Sequence, residues 1–285
     1  MKPHHPVDGQ SVVITGAASG IGRALAQHLA GRGCPVALAD VDEAGLAETA
    51  RSLQTPTLVE HVDVRDPAQL TAFAGKVRDW APTDLWACFN NAGVAVNNTV
   101  ADGDPADDQW LLDINFHGVV NGTRAFLPLL LDQGSGAVVN TSSVYGLLAV
   151  PLHSAYCASK FAVRGFTEAL HHELIGTGVR AVTVHPGGVK TNIAHNARVS
   201  VDALEGDRTS EEMAAEFDAS AMTTPERAAR TIVRGVERGR PRVLVGPDAV
   251  LIDVLTRLTP TRAAGIIGRL EKGLTRSARP QPVAL

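Results

Sequence analysis

Tyr156 and Lys160 stand four residues apart in SAYCASKFAV (154–163), and Tyr156 is one of only two tyrosines in the chain, the other being Tyr145. On a helix, that spacing puts both side chains on one face. A phenol beside an ammonium is a proton-transfer pair. A free tyrosine titrates near pKa ~10, and a general base working near neutrality needs that lowered by roughly three units, about 4 kcal/mol. A cation about 4 Å away, at an effective dielectric of about 20, supplies on the order of 4 kcal/mol. The spacing is common on helices, so other residues must give it meaning.

The stretch VVITGAASGIGRALA sets Gly16, Gly20 and Gly22 between an apolar strand pattern and a helical one. Glycine lets a turn close and lets backbone N–H groups approach a pyrophosphate, whose charge a helix N-terminus favours. Asp40 ends the next strand pattern, 18 residues after Gly22. A carboxylate there can accept hydrogen bonds from a ribose 2′-OH and repels a 2′-phosphate. Ser19 brings no positive charge into the turn. NAD is therefore the expected cofactor.

These residues need elements to hold them. Apolar runs of strand length fall at Val12–Ile14, Val36–Ala39, Thr57–His61, Leu85–Phe89, Ala137–Thr141, Ala181–His185 and Val243–Val245. Between them, segments such as IGRALAQHLAGRG repeat apolar residues at three- and four-residue spacing, as helices do. Two helix starts are marked: Asp66 before Pro67 with Gln69 behind it, and Thr223 with Pro225 and Glu226. Strand and helix alternate along the chain, which predicts an α/β fold with a parallel sheet covered on both faces. Residues 192–223 interrupt the alternation and are expected to form a substrate lid.

Six motifs in order resemble the short-chain dehydrogenase/reductase family over roughly residues 11–246. TGAASGIG (15–22) resembles the family's TGxxxGxG turn, and NNAG (90–93) follows the fourth strand pattern. DINFHG carries Asn115, NTSSVYG offers Ser142 and Ser143, YCASK supplies the YxxxK pair, and HPGGVKT resembles PGxVxT. Family members commonly place the active serine about thirteen residues before the tyrosine. Ser143 to Tyr156 is 13 residues, which assigns catalysis to Ser143 and a structural role to Ser142.

The resemblance implies a single-domain, Rossmann-type doubly wound sheet of about seven strands. A tail over 1–10 would precede it and a helical extension over 247–285 would follow. The implied catalytic set is Asn115, Ser143, Tyr156 and Lys160. Ser143 would polarise the substrate oxygen and Tyr156 would act as general acid/base. Lys160 would lower the tyrosine pKa and hold the nicotinamide ribose. Asn115, in a locally distorted helix, would hold a proton-relay water. Implied cofactor contacts are Gly16, Ser19, Gly20, Ile21, Gly22, Asp40, Asp63, Val64, Asn91, Ala92, Gly93, Tyr156, Lys160, Pro186, Gly187, Val189 and Thr191. Asp63 would lie near the adenine, and Val189 and Thr191 at the carboxamide end. Asn90 would line the same groove, and for Asn90 and Asn91 that role is compatible with tying the backbone of neighbouring strands. Substrate contacts are expected from Ser143, Tyr145 and Gly187.

The implied activity is hydride transfer between NAD(H) and a secondary alcohol or ketone, in a homodimer or homotetramer. Two alternatives keep the fold: an NADPH-dependent reductase of acyl-carrier or other ketones, and a non-catalytic cofactor-binding regulator. The intact set of four favours an enzyme, and Asp40 counts against NADPH.

Composition narrows the field. Of 285 residues, 45% are hydrophobic and 20% charged, ordinary for a globular protein. A net charge of −4 gives no basic footprint for nucleic acid. Cys34, Cys88 and Cys157 form no CxxC, so no disulfide framework or metal site is expected and a reducing cytoplasm is the expected setting. Residues 1–10 lack the apolar core of a secretory signal, no run has the length of a membrane span, and His4 and His5 read as a solvated tail. Trp86 and Phe89 read as core, and Cys157 as a small buried filler. The lid carries Ile193, Ala194, Val199, Val201, Leu204, Met213, Phe217 and Met222, which points to an apolar substrate. Val250, Leu251, Val254, Leu255 and Leu258 have helical spacing, and basic residues follow from Arg257 to Arg279. That extension is expected to cover the pocket or a subunit contact rather than a membrane surface.

Overall fold

The computed structural model describes residues 5–200, 209–263 and 265. Its strands are β1 (Ser11–Thr15), β2 (Val36–Asp40), β3 (Thr57–His61), β4 (Leu85–Asn90), β5 (Val96–Asn97), β6 (Gly136–Thr141), β7 (Val179–Pro186), β8 (Arg198–Val199) and β9 (Arg242–Val245). Seven form one sheet in the order β3-β2-β1-β4-β6-β7-β9, with every pairing parallel. Each expected strand is present to within two residues at either end. Strands β5 and β8 make a separate small ribbon.

The helices are α1 (Gly20–Ala30), α2 (Glu43–Arg51), α3 (Pro67–Trp80), α4 (Pro105–Leu112), α5 (Gly118–Gln133), α6 (Ser154–Glu173), α7 (Ser210–Ser220), α8 (Pro225–Glu237) and α9 (Pro247–Leu258). They explain why the central strands read as nearly unbroken apolar runs. All five residues of β1 and all six of β4 are buried, because helices cover both faces. On one face Val12, Ile14 and Leu38 pack with Leu25 and Leu29 of α1 and Ile232 and Val236 of α8. Trp86 and Phe89 join this layer, as expected. On the other face Val13, Cys88 and Val138 meet Phe73 of α3, Phe126 and Leu130 of α5 and Leu170 of α6.

The caps follow the sequence with one correction. Asp66 accepts from the backbone N–H of Ala68 at 2.8 Å and Gln69 at 3.3 Å. Helix α8, however, is capped by Thr224, which accepts from the Arg227 N–H at 3.3 Å, and not by Thr223. The Thr223 backbone is engaged elsewhere: its N–H donates to the Gly188 carbonyl at 3.1 Å and its carbonyl accepts from Lys190 at 3.0 Å. With the cap moved by one, the third helical position is Arg227 and the Thr-x-x-Glu box cannot form.

The chain leaves β1 for β2 and β3 on one side, then crosses to β4 on the other. This reversal opens a crevice at the carboxyl ends of β1 and β4, where open α/β sheets place their ligands. The turn from β1 into α1 borders it. At Gly22 an added Cβ would lie 2.0 Å from the Gly16 carbonyl oxygen and 2.8 Å from the Asn91 amide nitrogen. Backbone cannot yield there as a flexible side chain can. Gly22→Ala is expected to cost about 1–3 kcal/mol and to weaken dinucleotide binding; thermal unfolding and NADH fluorescence titration check both.

Helix α9 follows β9 directly. Its Asp248 accepts from the Gly188 N–H at 2.6 Å, and its Asp253 pairs with Arg242 and Arg257. Val250, Leu251, Val254 and Leu258 are exposed. Among the described residues no helix is long and apolar enough to cross a membrane. His4, the lid residues Val201 and Leu204, and the basic residues Arg269, Lys272, Arg276 and Arg279 lie outside the described residues.

Candidate active site

Helix α6 opens with Ser154 and carries Tyr156 and Lys160 on its first two turns. The loop after β6 brings Ser143 to them. The two serines have different partners. The Ser142 hydroxyl donates to the Lys160 carbonyl at 2.7 Å, which ties the loop to the helix backbone. The Ser143 side chain stands close enough to the Tyr156 phenol to pull its pKa down, and its hydroxyl accepts from the Tyr145 N–H at 3.1 Å. With one lone pair taken by that N–H, its own proton can point at a substrate oxygen.

Lys160 is only 3% exposed. Its Nζ donates to the Thr141 carbonyl at 3.1 Å and stands 5.5 Å from the centre of the Tyr156 ring. Burial drives the Tyr156 pKa up to about 12, with the neighbouring Ser143 side chain pulling the other way. Burial also drives Lys160 from 10.5 down to about 8. This corrects the simple electrostatic expectation of a cation about 4 Å away. In the protein alone, the phenol is harder to ionise than in water. Both groups have lost their water, and the amine's hydrogen bond goes to a neutral carbonyl.

Asn115 lies in a single π-helical turn, Asp113–His117, between α4 and α5, so the expected local distortion is present. Its amide oxygen accepts from the Val94 N–H at 2.8 Å and its amide nitrogen donates to the Val94 carbonyl at 2.9 Å. Like a neighbouring strand, the side chain pairs with that backbone and fixes the segment after β4. Gly93 lies beside it. A Cβ on Gly93 would come 3.2 Å from the Asn115 amide oxygen and 3.4 Å from Lys160 Nζ. Glycine keeps that gap open.

The expected cofactor residues line up along the carboxyl edge of the sheet. Asn91 donates to the carbonyls of Thr15 and Gly16 at 3.2 and 3.4 Å, and Ala92 N–H donates to the Thr15 hydroxyl at 3.2 Å. Together they lock the glycine turn against β4. Ser19 begins α1 without a side-chain cap bond, so its hydroxyl does not satisfy the first-turn N–H groups. Ile21 packs on the core beneath. Ser19, Gly20 and Thr191 border a cavity together with Arg23 and Lys190. Asp40 accepts from Ala18 N–H at 2.9 Å and from Val41 and Asp42 N–H at 2.8 and 3.1 Å. That leaves about one of its lone-pair positions for a ribose hydroxyl. Asp63 is held by Arg65, whose hydrogen bonds keep its carboxyl below the usual range, and Val64 is buried beside it. Pro186 ends β7, the Gly187 N–H bonds the Val245 carbonyl at 2.9 Å, and Val189 is buried. The Asn90 side chain turns inward. It is 2% exposed and donates to Thr123 and Asn140, tying β4 to α5 and β6. An uncapped helix start, a glycine cradle and a free position on Asp40 fit a dinucleotide.

Sequence reasoning missed several contacts. The Tyr145 ring stands edge-on to both Tyr156 (6.1 Å) and His153 (5.4 Å). Leu152 holds a left-handed conformation, φ 65°, with its carbonyl accepting from the Asn98 N–H at 3.0 Å. Beyond Thr191, the β8 residue Arg198 stacks 3.6 Å above Trp110 of α4 and pairs with Asp107. His195 bonds Asp218 of α7 at 2.8 Å. Two-residue strands carry no periodicity, so nothing in the sequence marked the ribbon that sets these contacts.

Comparison with known proteins gives a consistent picture. A profile described as short chain dehydrogenase matches residues 10–202. The putative oxidoreductase SadH of Mycobacterium tuberculosis is 45% identical over 258 residues, covering 88% of this chain and 91% of its own. The ketoacyl reductase HetN of Nostoc is 31% identical, with 88% and 83% covered. Among solved structures, a short chain dehydrogenase/reductase of Burkholderia phymatum in complex with NAD superposes with a TM-score of 0.79 at 30% identity, covering 98% of this chain and 99% of its own. A short chain dehydrogenase of Burkholderia cenocepacia in complex with NADP has the same fold, with a TM-score of 0.74 at 23% identity and coverage of 93% and 98%.

Proposed function

The chain belongs to the short-chain dehydrogenase family, and from that premise we propose that it moves a hydride between NAD(H) and an apolar secondary alcohol or ketone. The observation that carries this reading is the meeting of Ser143, Tyr156 and Lys160 at the same sheet edge as the glycine turn. The cofactor, when bound, supplies the hydride donor or acceptor and, oxidised, a positive ring. The backbone of Gly16–Gly22 would hold its pyrophosphate, Asp40 its adenosine ribose and Lys160 its nicotinamide ribose. Asp63 and Val64 would border the adenine, and Pro186, Gly187, Val189 and Thr191 the carboxamide end.

The protein's own groups handle the proton. Ser143 donates to the substrate oxygen and stabilises its developing charge. Tyr156 takes the hydroxyl proton in oxidation and returns it in reduction. Lys160 stabilises the phenolate as it forms, and a relay to solvent runs past the Asn115 turn. Tyr145 and Gly187 would border the substrate, and the described residues 192–200 and 209–223 would cover it. Ile193, Met213 and Phe217 in that cover are partly buried, which supports an apolar partner. Light scattering on the purified protein tests the expected homodimer or homotetramer.

Cofactor choice rests on Asp40. Relatives hold NAD in one structure and NADP in another, so family membership does not decide it. Arg23, the cation nearest the turn in sequence, donates to the Ala18 carbonyl and pairs with Glu48 at 2.9 Å, which occupies it. Secondary alcohols tested with NAD⁺ and NADP⁺ at the NADH absorbance band should show turnover with NAD⁺. Asp40→Ser is expected to lower kcat/KM for NAD⁺ about tenfold, the worth of one hydrogen bond to a charged group, and to raise it for NADP⁺. A wild type that prefers NADP⁺ would overturn the assignment.

A further inference from the structure

We propose that His185 is a positioning residue for this reaction: its imidazole, donating to the Ser143 carbonyl, sets the peptide that aims the Ser143 hydroxyl at Tyr156. The inference rests on the reading of Ser143 as the group that polarises substrate. His185 is the next-to-last residue of β7 and is fully buried. Its Nδ1 lies 2.9 Å from the Ser143 carbonyl oxygen. A carbonyl only accepts, so Nδ1 carries the proton and Nε2 is left with a lone pair. That Nε2 is buried with no hydrogen-bond partner. An orphaned acceptor in a core is costly. A leucine here would avoid that cost, so the histidine is there for its other nitrogen.

The Ser143 carbonyl also accepts from the Gly146 N–H at 3.0 Å, closing the short helical turn at Val144–Gly146. One residue back, the Ser142 N–H donates to the Val184 carbonyl at 2.8 Å. The loop is thus fixed on both sides of Ser143, and His185 supplies the grip on its own peptide. The charged groups around the ring are Arg242 of β9 and Arg164 and Glu168 of α6. Burial first, and then the two arginines, hold the ring neutral, with its pKa brought down to about 4. It therefore gives one hydrogen bond in one direction across the working pH range and adds no titration of its own.

Two amide substitutions separate the role from simple packing. His185→Asn keeps an N–H donor at the Nδ1 position, whereas His185→Gln moves the amide out to the Nε2 position. With the alcohol the wild type oxidises fastest, His185→Gln is expected to lose kcat about tenfold, the scale of one catalytic hydrogen bond, and His185→Asn to stay within about threefold of wild type. NADH affinity by fluorescence should stay within about twofold in both. The limb of the kcat/KM profile, which reports the free enzyme, should move upward in His185→Gln, as in Ser143→Ala, because the Ser143 hydroxyl that pulls the Tyr156 pKa down is displaced or removed. Equal activity of the two variants, whether both high or both low, overturns the proposal while Ser143→Ala still reports on Ser143. A Ser143→Ala enzyme with normal turnover instead removes the Ser143 reading, and the role of His185 with it.

Discussion

Replacing Tyr156 with phenylalanine is expected to lower kcat about 10³-fold, within the range for losing a general acid–base, with NADH binding nearly unchanged. The ring would keep its place, because its packing involves the Tyr145 ring edge and the start of α6. Only the phenol oxygen goes. The structure sharpens the demand on this residue. With a pKa near 12 in the protein alone, the proposed role of Tyr156 needs help from cations near neutrality, and Lys160 would be one. Turnover and NADH fluorescence measured on one preparation give the answer. A Tyr156→Phe protein that binds NADH and still turns over within a few fold of wild type would sink the proposed mechanism.

Lys160→Met is expected to split activity from stability. Turnover should fall at least about 10²-fold, since the phenolate loses its cation. The fold should become more stable. Lys160 titrates near 8 when folded and near 10.5 when unfolded, so at neutral pH holding it charged costs about 3 kcal/mol. The lost bond to the Thr141 carbonyl returns about 1 kcal/mol of that, leaving a gain of roughly 2 kcal/mol in urea unfolding. The sign follows from proton counting: between the two values the unfolded chain binds more protons, so wild-type stability rises with pH there. The advantage of the Lys160→Met protein should be full below about pH 8, shrink as pH rises from there, and give way above about pH 10.5 to a deficit of about 1 kcal/mol, the lost bond to Thr141. A Lys160→Met protein less stable than wild type at pH 7 would show that the lysine is compensated in a way its surroundings do not display.

The fold was largely legible because its signals are local and repeated. Buried parallel strands must be apolar, and β1, β2 and β4 could hardly be read otherwise. The spacing of Ser143 and Tyr156 could be read from the chain, and the structure sets the two side chains near one another. What stayed hidden depends on three-dimensional surroundings. No spacing shows that Lys160 loses its water, so the sign of the Tyr156 shift could not be read. His185 opens the HPGGVKT segment, yet its bond to Ser143 joins residues 42 positions apart. The cap at Thr224 instead of Thr223 was decided by a backbone bridge to Gly188 and Lys190, and Asn90 was drawn inward by Thr123 and Asn140.

The chain has two tyrosines, Tyr145 and Tyr156, and their rings stand 6.1 Å apart. Every phenol of the molecule is therefore at one place. Tyrosine-selective labelling, nitration or phenolate difference spectra would report on this site alone, with no background from elsewhere in the protein. The substitution Tyr145→Phe would reduce that signal to a single reporter, Tyr156 itself.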